Sequence, residues 1–288
     1  MKKYLNQFER DVFEKLCDAG ESYIVGGFVR DIVLGKIKPR TKNIMFLDVD
    51  EANDVDIVTT LTPEEVEDLF YKDYIIEPYG KAFGTVAICD ENECIDVTTM
   101  KKRIYIGEDN LVHVIFGNDI HQDLLLRDFT INTLLINKDY ELVDLFGAVD
   151  DVKNKRLKYP PSDFPRYKID PIVIFRAARF ISHGFEPDKR VISSFYDPDV
   201  VPRLQYLSSW RVLKELWKMS KGDVVKGLYY LHDSGLLYEY FPDMKEHKKY
   251  IDEALKTGKK KKFIEYIKNN DPNYIDVFRL LRLNFKRV

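Results

Sequence analysis

The chain has 288 residues, 45% hydrophobic and 32% charged, with a formal net charge of −3. That length suits one large or two modest domains, and no apolar run nears the ~20 residues a membrane-spanning helix needs. A balance this close to neutral excludes binding of nucleic acid by bulk charge, so any such partner must be held by local patches.

The three cysteines, Cys17, Cys89 and Cys94, are sparse and odd in number. This argues for a reducing compartment and a cytoplasmic protein, and no Cys/His cluster has zinc spacing. Residues 1–16 read as an amphipathic helix and lack the apolar centre of a signal peptide. Tyr23-Ile24-Val25 then reads as a short buried strand broken by Gly26-Gly27, with a helix following from Phe28 to Leu34. A strand, a glycine turn and a helix start form a seat for phosphate, because the backbone N–H groups are free and the glycines permit close approach. Arg30 adds a charged fork. Asp54 and Asp56 follow on the apolar run Val55-Ile57-Val58. Residues two apart in a strand share a face, and two hard oxygen donors there suit Mg²⁺. Gly-Gly alone is a common turn and Asp-x-Asp a common strand edge, but the two together, with Arg30 between them, point to a nucleotide and metal site.

Thr62-Pro63-Glu64-Glu65 has the pattern of a helix start, and the helix runs through Phe70. Ile75 to Pro78 is short and extended. Gly84 to Cys89 and Cys94 to Thr99 read as a hairpin. Its two cysteines face each other across the Asp90–Glu93 turn and are read as reduced core residues. Asp96, on the second strand, is either a third metal ligand or an ordinary surface acid. Met100 to Gln122, rich in charge, Gly and Asn, shows no clear element pattern and is expected to contain a mobile loop. Arg127-Asp128-Phe129-Thr130-Ile131-Asn132 is a sharper signal: Arg127 suits a phosphate, and Asp128 and Asn132 suit ribose hydroxyls. The structural alternative is a helix-capping ion pair.

From Asp150 onward the pattern is helical. Asp170-Pro171 reads as N-cap and first residue of a helix that carries Arg176 and Arg179 three apart on one face. Ser208 to Trp217 and Gly227 to Pro242 read as further helices. His232-Asp233 lacks the additional spaced histidines of a phosphohydrolase, and His113, His121 and His183 are isolated. From Lys245 to the end there are 13 Lys and Arg against 6 Asp and Glu. The densest run, Lys259 to Lys262, reads best as a solvated helix start.

Five ordered motifs between about residues 20 and 245 resemble the tRNA nucleotidyltransferase/poly(A) polymerase family of the bacterial and eukaryotic type, in a compact form. They are Gly26-Gly27-Phe28-Val29-Arg30-Asp31 with Asp54-Val55-Asp56; Arg127 to Asn132, with Leu126 where the family has a first arginine; the Asp144-x-x-Gly147-x-x-Asp150 hinge; the neck helix from Asp170; and Ser208-x-Trp210-Arg211-Val212-x-x-Glu215-Leu216, with Trp210 where Glu is usual. Lys36 to Asn53 resembles an insertion. In the neck motif, Glu-Asp-x-x-Arg, Ile169 stands for the Glu and Val173 for the Arg.

The resemblance implies an α+β fold. Residues 1–147 would be a nucleotidyltransferase head with a small mixed β-sheet and helices on one side. Residues 148–245 would be an all-helical neck and body for base selection and RNA binding, and residues 246–288 a short basic helical tail. It also implies an enzyme that adds C and A from CTP and ATP to the 3′ end of tRNA and releases pyrophosphate. In that reading Asp54 and Asp56 are catalytic and hold Mg²⁺, with Asp96 as a candidate third ligand. Gly26, Gly27, Arg30, Arg127, Asp128 and Asn132 seat the nucleotide, and Asp170 with Arg176 or Arg179 faces the base. The alternatives are a poly(A) polymerase-like enzyme with altered nucleotide selection and a non-catalytic RNA-binding relative. No membrane and no obligate protein partner are expected.

Overall fold

The computed structural model describes residues 1–39 and 55–281. Asp54 and most of the Lys36–Asn53 insertion lie outside the described residues. The chain divides into two compact units. The first is Met1–Asn154 with Pro160–Asp163, and the second is Lys155–Tyr159 with the described residues from Phe164 on. Among the described residues, no helix is long and apolar enough to cross a membrane.

The first unit is built on a seven-stranded mixed sheet. Its strands are β1 (Ser22–Val25), β2 (Asp56–Thr59), β3 (Ile75–Gly80), β4 (Thr85–Cys89), β5 (Cys94–Thr99), β8 (Leu135–Ile136) and β9 (Leu142–Val143). They run in the order β3-β4-β5-β2-β1-β8-β9. Only β2 and β5 pair in parallel; every other neighbouring pair is antiparallel. The strands are short and rich in Ile and Val, and alternation gives each two distinct faces. One face carries a buried cluster of Val25, Val58, Leu135, Met100 and Leu124.

Helix α1 (Gln7–Ala19) begins at a capping box in which Asn6 and Glu9 satisfy each other's backbone N–H groups. It buries Phe8, Val12, Phe13 and Leu16, the spacing of one helical face. Helix α3 (Pro63–Phe70) has the predicted start, with Thr62 and Glu65 forming a second capping box and Pro63 in the first turn. The other helices of this unit are α2 (Gly27–Val33), α4 (Ile120–Leu125) and α5 (Ala148–Lys153). The unit runs past Gly147, where the sequence pattern puts the end of the head. Helix α5 packs back against α2 and the 3₁₀ turn Thr130–Asn132, and the Thr130 hydroxyl donates to Asp151 at 2.9 Å.

One expectation is sharpened and one needs correction. Most of Met100 to Gln122, where the sequence reading holds a loop, is regular structure around the turn at residues 107–111. It forms an antiparallel ribbon of β6 (Lys101–Ile106) and β7 (Val112–Phe116), followed by α4. Its first strand opens on the charged run Lys101-Lys102-Arg103 and its second is mostly apolar, and Asn110 takes the positive φ that the tight turn needs. Cys89 and Cys94 are not two reduced core thiols: the structure joins them in a disulfide, with Cys94 exposed. They are directly opposed across the hairpin end, where the Asp90 N–H donates to the Glu93 carbonyl and closes the turn. Cys17 remains free, and burial pushes its thiol up to about 12.

The second unit is helical apart from a two-residue parallel pair of β10 (Arg156–Leu157) and β11 (Glu186–Pro187). Its helices are α6 (Ile172–Ser182), α7 (Lys189–Ser194), α8 (Ser209–Lys221), α9 (Val224–Asp233), α10 (Leu236–Tyr240), α11 (Lys248–Leu255), α12 (Lys260–Asn270) and α13 (Tyr274–Leu280). Helix α6 packs against both α8 and α9. The basic tail joins this core through buried Phe263 and Ile267, and His247 Nδ1 lies 2.7 Å from buried Asp271. Within the lysine run, Lys260 donates to the carbonyls of Ser220 and Gly222 at the end of α8. A cation there complements the helix C-terminus.

Gly227 marks how close α9 comes to its neighbours. A Cβ there would stand 2.7 Å from the Ala178 carbonyl oxygen, 2.7 Å from Met219 Cγ and 2.8 Å from Sδ. Alanine gains up to ~1 kcal/mol over glycine in a helix, but overpacking costs roughly 1–3 kcal/mol. Gly227→Ala is therefore expected to lower the urea midpoint with its slope unchanged, whereas a raised midpoint would mean that α9 shifts without cost.

Candidate active site

In the first unit the site is built where β1 turns into α2. Gly26 precedes the helix with φ +84° and ψ −137°, a backbone conformation that L side chains rarely adopt. A Cβ on Gly26 would sit 3.5 Å from Asp56 Oδ2 and 3.9 Å from Arg127 Nη1. The glycine turn, the acid and the arginine therefore meet at one point. Gly27 opens α2, which buries Phe28, Val29 and Ile32 and leaves Arg30 on its other side.

Arg30 is gripped on two sides by described residues. Its Nε and Nη2 donate to the two carboxylate oxygens of Asp31, each at 2.9 Å, and its Nη1 donates to Asn132 Oδ1 at 2.7 Å. Asn132 in turn donates through Nδ2 to Asp128 Oδ1 at 2.8 Å, and the same oxygen accepts the Phe129 N–H at 2.9 Å. A continuous relay, Asp31–Arg30–Asn132–Asp128, thus joins the first predicted motif to the second. Bidentate pairing fixes a guanidinium more tightly than a single contact does.

Arg127 forms an ion pair with Asp123 one helical turn back, Nη2 to Oδ2 at 3.0 Å, with Asp123 nearly buried. The ion-pair alternative for this arginine is therefore present, but it does not use the whole side chain. Its Nε is buried and has no hydrogen-bond partner among the described residues. A buried donor left unmade costs about 1–3 kcal/mol, so this atom favours an incoming acceptor.

The acids are placed by strand register. Asp56 opens β2 and pairs across the ladder with Val25 on one side and Asp96 on the other. Partners directly opposed in a ladder point to the same face, so Asp56 and Asp96 are half-buried neighbours on one surface. The Tyr79 hydroxyl donates to Asp96 Oδ1 at 2.7 Å. Two adjacent carboxylates repel unless a cation or donors compensate them. Hard oxygens arranged in this way fit a divalent cation.

The second unit carries the neck motif. Helix α6 starts one residue later than the sequence pattern suggests, with Pro171 as the cap residue, and Asp170 Oδ1 accepts the Ile172 N–H at 3.4 Å. Arg176 and Arg179 both turn to buried Glu215 on α8: Arg176 Nε lies 3.5 Å from Oε1 and Arg179 Nη1 3.1 Å from Oε2. Asp170 instead accepts a 2.6 Å hydrogen bond from Arg211 Nη2. Ile169 and Val173 are both buried. The sequence reading missed Arg211 and Glu215 as partners of this motif. Their signal was present in the Ser208–Leu216 motif, where they stand four apart on one face of a helix.

Residues 22–158 match the poly(A) polymerase head domain model. The chain is 29% identical over 252 residues to the CCA-adding enzyme of Staphylococcus epidermidis, covering 85% of this chain and 58% of that protein. It is 32% identical over 240 residues to the CCA-adding enzyme of Listeria innocua, covering 82% and 56%. The chain thus spans little more than half the length of these curated relatives. Among solved structures it resembles the Bacillus stearothermophilus CCA-adding enzyme in complex with CTP, with a TM-score of 0.62, 26% identity, and coverage of 79% of this chain and 51% of that one. The Thermotoga maritima CCA-adding enzyme, solved with tRNA, shares the fold at a TM-score of 0.63 and 20% identity, covering 99% and 65%. With the glycine turn, the paired acids and the Arg127–Asn132 motif assembled in it, the stretch from residue 22 to 158 belongs to the poly(A) polymerase head-domain family.

Proposed function

We propose that this protein adds C and A residues to the 3′ end of tRNA from CTP and ATP, releasing pyrophosphate. The observation that carries this reading is the in-register pair Asp56–Asp96 beside the Gly26 turn and Arg127, in a chain whose relatives are CCA-adding enzymes. Asp54 and Asp56 are the catalytic acids of the proposal, with Asp96 as third ligand and Tyr79 holding it in place. Mg²⁺ bound there supplies a lowered pKa for the primer hydroxyl and neutralises charge on the triphosphate.

The chain's own groups do the positioning. Gly26 and Gly27 let the backbone approach a phosphate without a Cβ in the way. Arg127 offers its uncommitted Nε to a phosphate oxygen while Asp123 fixes the far side of the guanidinium. Asn132 and Asp128 take the ribose hydroxyls, and Arg30, clamped by Asp31 and Asn132, sets their orientation. In the second unit, Asp170 accepts the exocyclic amino group of the base. Such a substrate places the protein in the cytoplasm.

Incubation with tRNA lacking its terminal CCA and each labelled nucleotide tests the reading. Incorporation from CTP and ATP but not from UTP or GTP is expected. Long tails from ATP alone would indicate a poly(A) polymerase, and no incorporation a non-catalytic relative.

Replacing Asp54 or Asp56 with Ala is expected to remove nearly all transfer while the thermal midpoint holds or rises, because removing one of two repelling acids does not weaken the head. Wild-type turnover with Mg²⁺ in either variant would overturn the role of that residue.

A further inference from the structure

We propose that Arg211, from helix α8, supplies the base-reading guanidinium that the neck helix of this protein lacks. The inference rests on the proposed nucleotidyl transfer and names the residue that makes its base choice.

The neck helix has no arginine at the position where its motif calls for one. Val173 stands there and is 1% exposed, so a guanidinium at that position would have to leave the core. Ile169, at the motif's Glu position, is 2% exposed. Both substitutions turn that side of the helix into apolar core and leave Asp170 as the polar group of the motif. Arg176 and Arg179 do not reach Asp170 in the structure; both are drawn to Glu215, whose burial makes each ion pair costly to break. Arg166 lies 3.9 Å from Asp170, beyond direct hydrogen bonding.

Arg211 is the guanidinium that bonds Asp170 directly, at 2.6 Å. Its side chain remains 43% exposed while that of Asp170 is 17% exposed. An arginine carries five N–H donors in a rigid fork. Among the described residues, the one guanidinium donor of Arg211 engaged in a hydrogen bond is that to Asp170. The carboxylate keeps further acceptor capacity. The pair therefore presents an acceptor beside a donor, fixed in register by its own bond.

That order of groups has a defined complement. Cytosine and adenine each offer an exocyclic amino donor next to an unprotonated ring nitrogen. Uracil and guanine offer the reverse, a carbonyl oxygen next to a ring N–H. A carboxylate beside a guanidinium accepts from the amino group and donates to the ring nitrogen of the first two bases, and it faces the other two with like against like. A site built to hydrogen-bond a group strongly rejects analogues that leave its polar atoms unpaired. The same two side chains thus serve both nucleotides that the proposed reaction consumes.

The test is nucleotide choice in Arg211→Ala and Arg211→Gln, with melting temperatures checking the fold. The ratio of kcat/KM for CTP and ATP to that for UTP and GTP is read on tRNA lacking CCA, and Kd values for CTP and UTP are read with Mg²⁺ and no RNA. Loss of a charged hydrogen bond is worth about 1.5–3 kcal/mol, so discrimination should fall roughly ten- to a hundred-fold in the Ala variant. The fall should come from weaker use of CTP and ATP, with UTP and GTP unchanged or improved. A parallel loss for all four nucleotides would mean that Arg211 only supports the helix, and unchanged preference would exclude it from base reading; either result overturns the proposal. If the wild-type protein neither incorporates nor binds any of the four, the proposed function and this inference fail together. If it selects C and A and both variants do likewise, only this inference fails.

Discussion

One hydrogen bond determines whether the head carries a site or only two separate motifs. Arg30 Nη1 donates to Asn132 Oδ1 across a separation of 102 residues. On one side Asp31 grips the same guanidinium through both its oxygens; on the other, Asn132 is oriented by Asp128. Charged hydrogen bonds of this kind are roughly twice as strong as neutral ones. The relay runs from α2 to the 3₁₀ turn Thr130–Asn132, so the glycine turn that starts α2 and the residues assigned to the sugar share one rigid frame. Thr130 ties the same turn to α5 through Asp151.

The acids depend on a different constraint, the register of β1, β2 and β5. A slip of one residue would send Asp56 to the opposite face of the sheet and Ile57 to the site. Buried partners on either side hold the register: Ile57 lies between Ile24 on β1 and Val97 on β5. Apolar packing of the core therefore positions two charges that repel each other. The cost of bringing them together is the physical case for a cation at this place. Arg127 follows the same logic with the opposite sign, since Asp123 compensates the guanidinium only in part.

Much of this was readable from the chain because it is local. A strand, a glycine pair and a helix are written in residues 23–34, and the capping box of α3 in four consecutive residues. Errors arose where partners are distant or where composition masks a pattern. In residues 101–116 a charged run and a glycine-containing turn masked the two strands, so the ribbon was not legible. The disulfide needed the hairpin register as well as the presence of two cysteines. The sequence reading groups Asp170 with Arg176 or Arg179, because only same-helix spacing is visible in sequence. Its actual partner, Arg211, lies on another helix, and Arg176 goes to Glu215 for the same reason. Which residues could be charged was legible, but which of them would meet was not.

In the proposed function Arg30 and Asn132 act as one unit in holding the nucleotide. A double-mutant cycle on CTP affinity in the presence of Mg²⁺, using Arg30→Ala, Asn132→Ala and the pair together, measures this directly. Strong non-additivity is expected: each single variant weakens CTP binding, and the double variant is little worse than either, because breaking the relay once already releases both ends. Losses that simply add would contradict it, since they would show that Arg30 and Asn132 touch the nucleotide independently and that the relay between them is incidental.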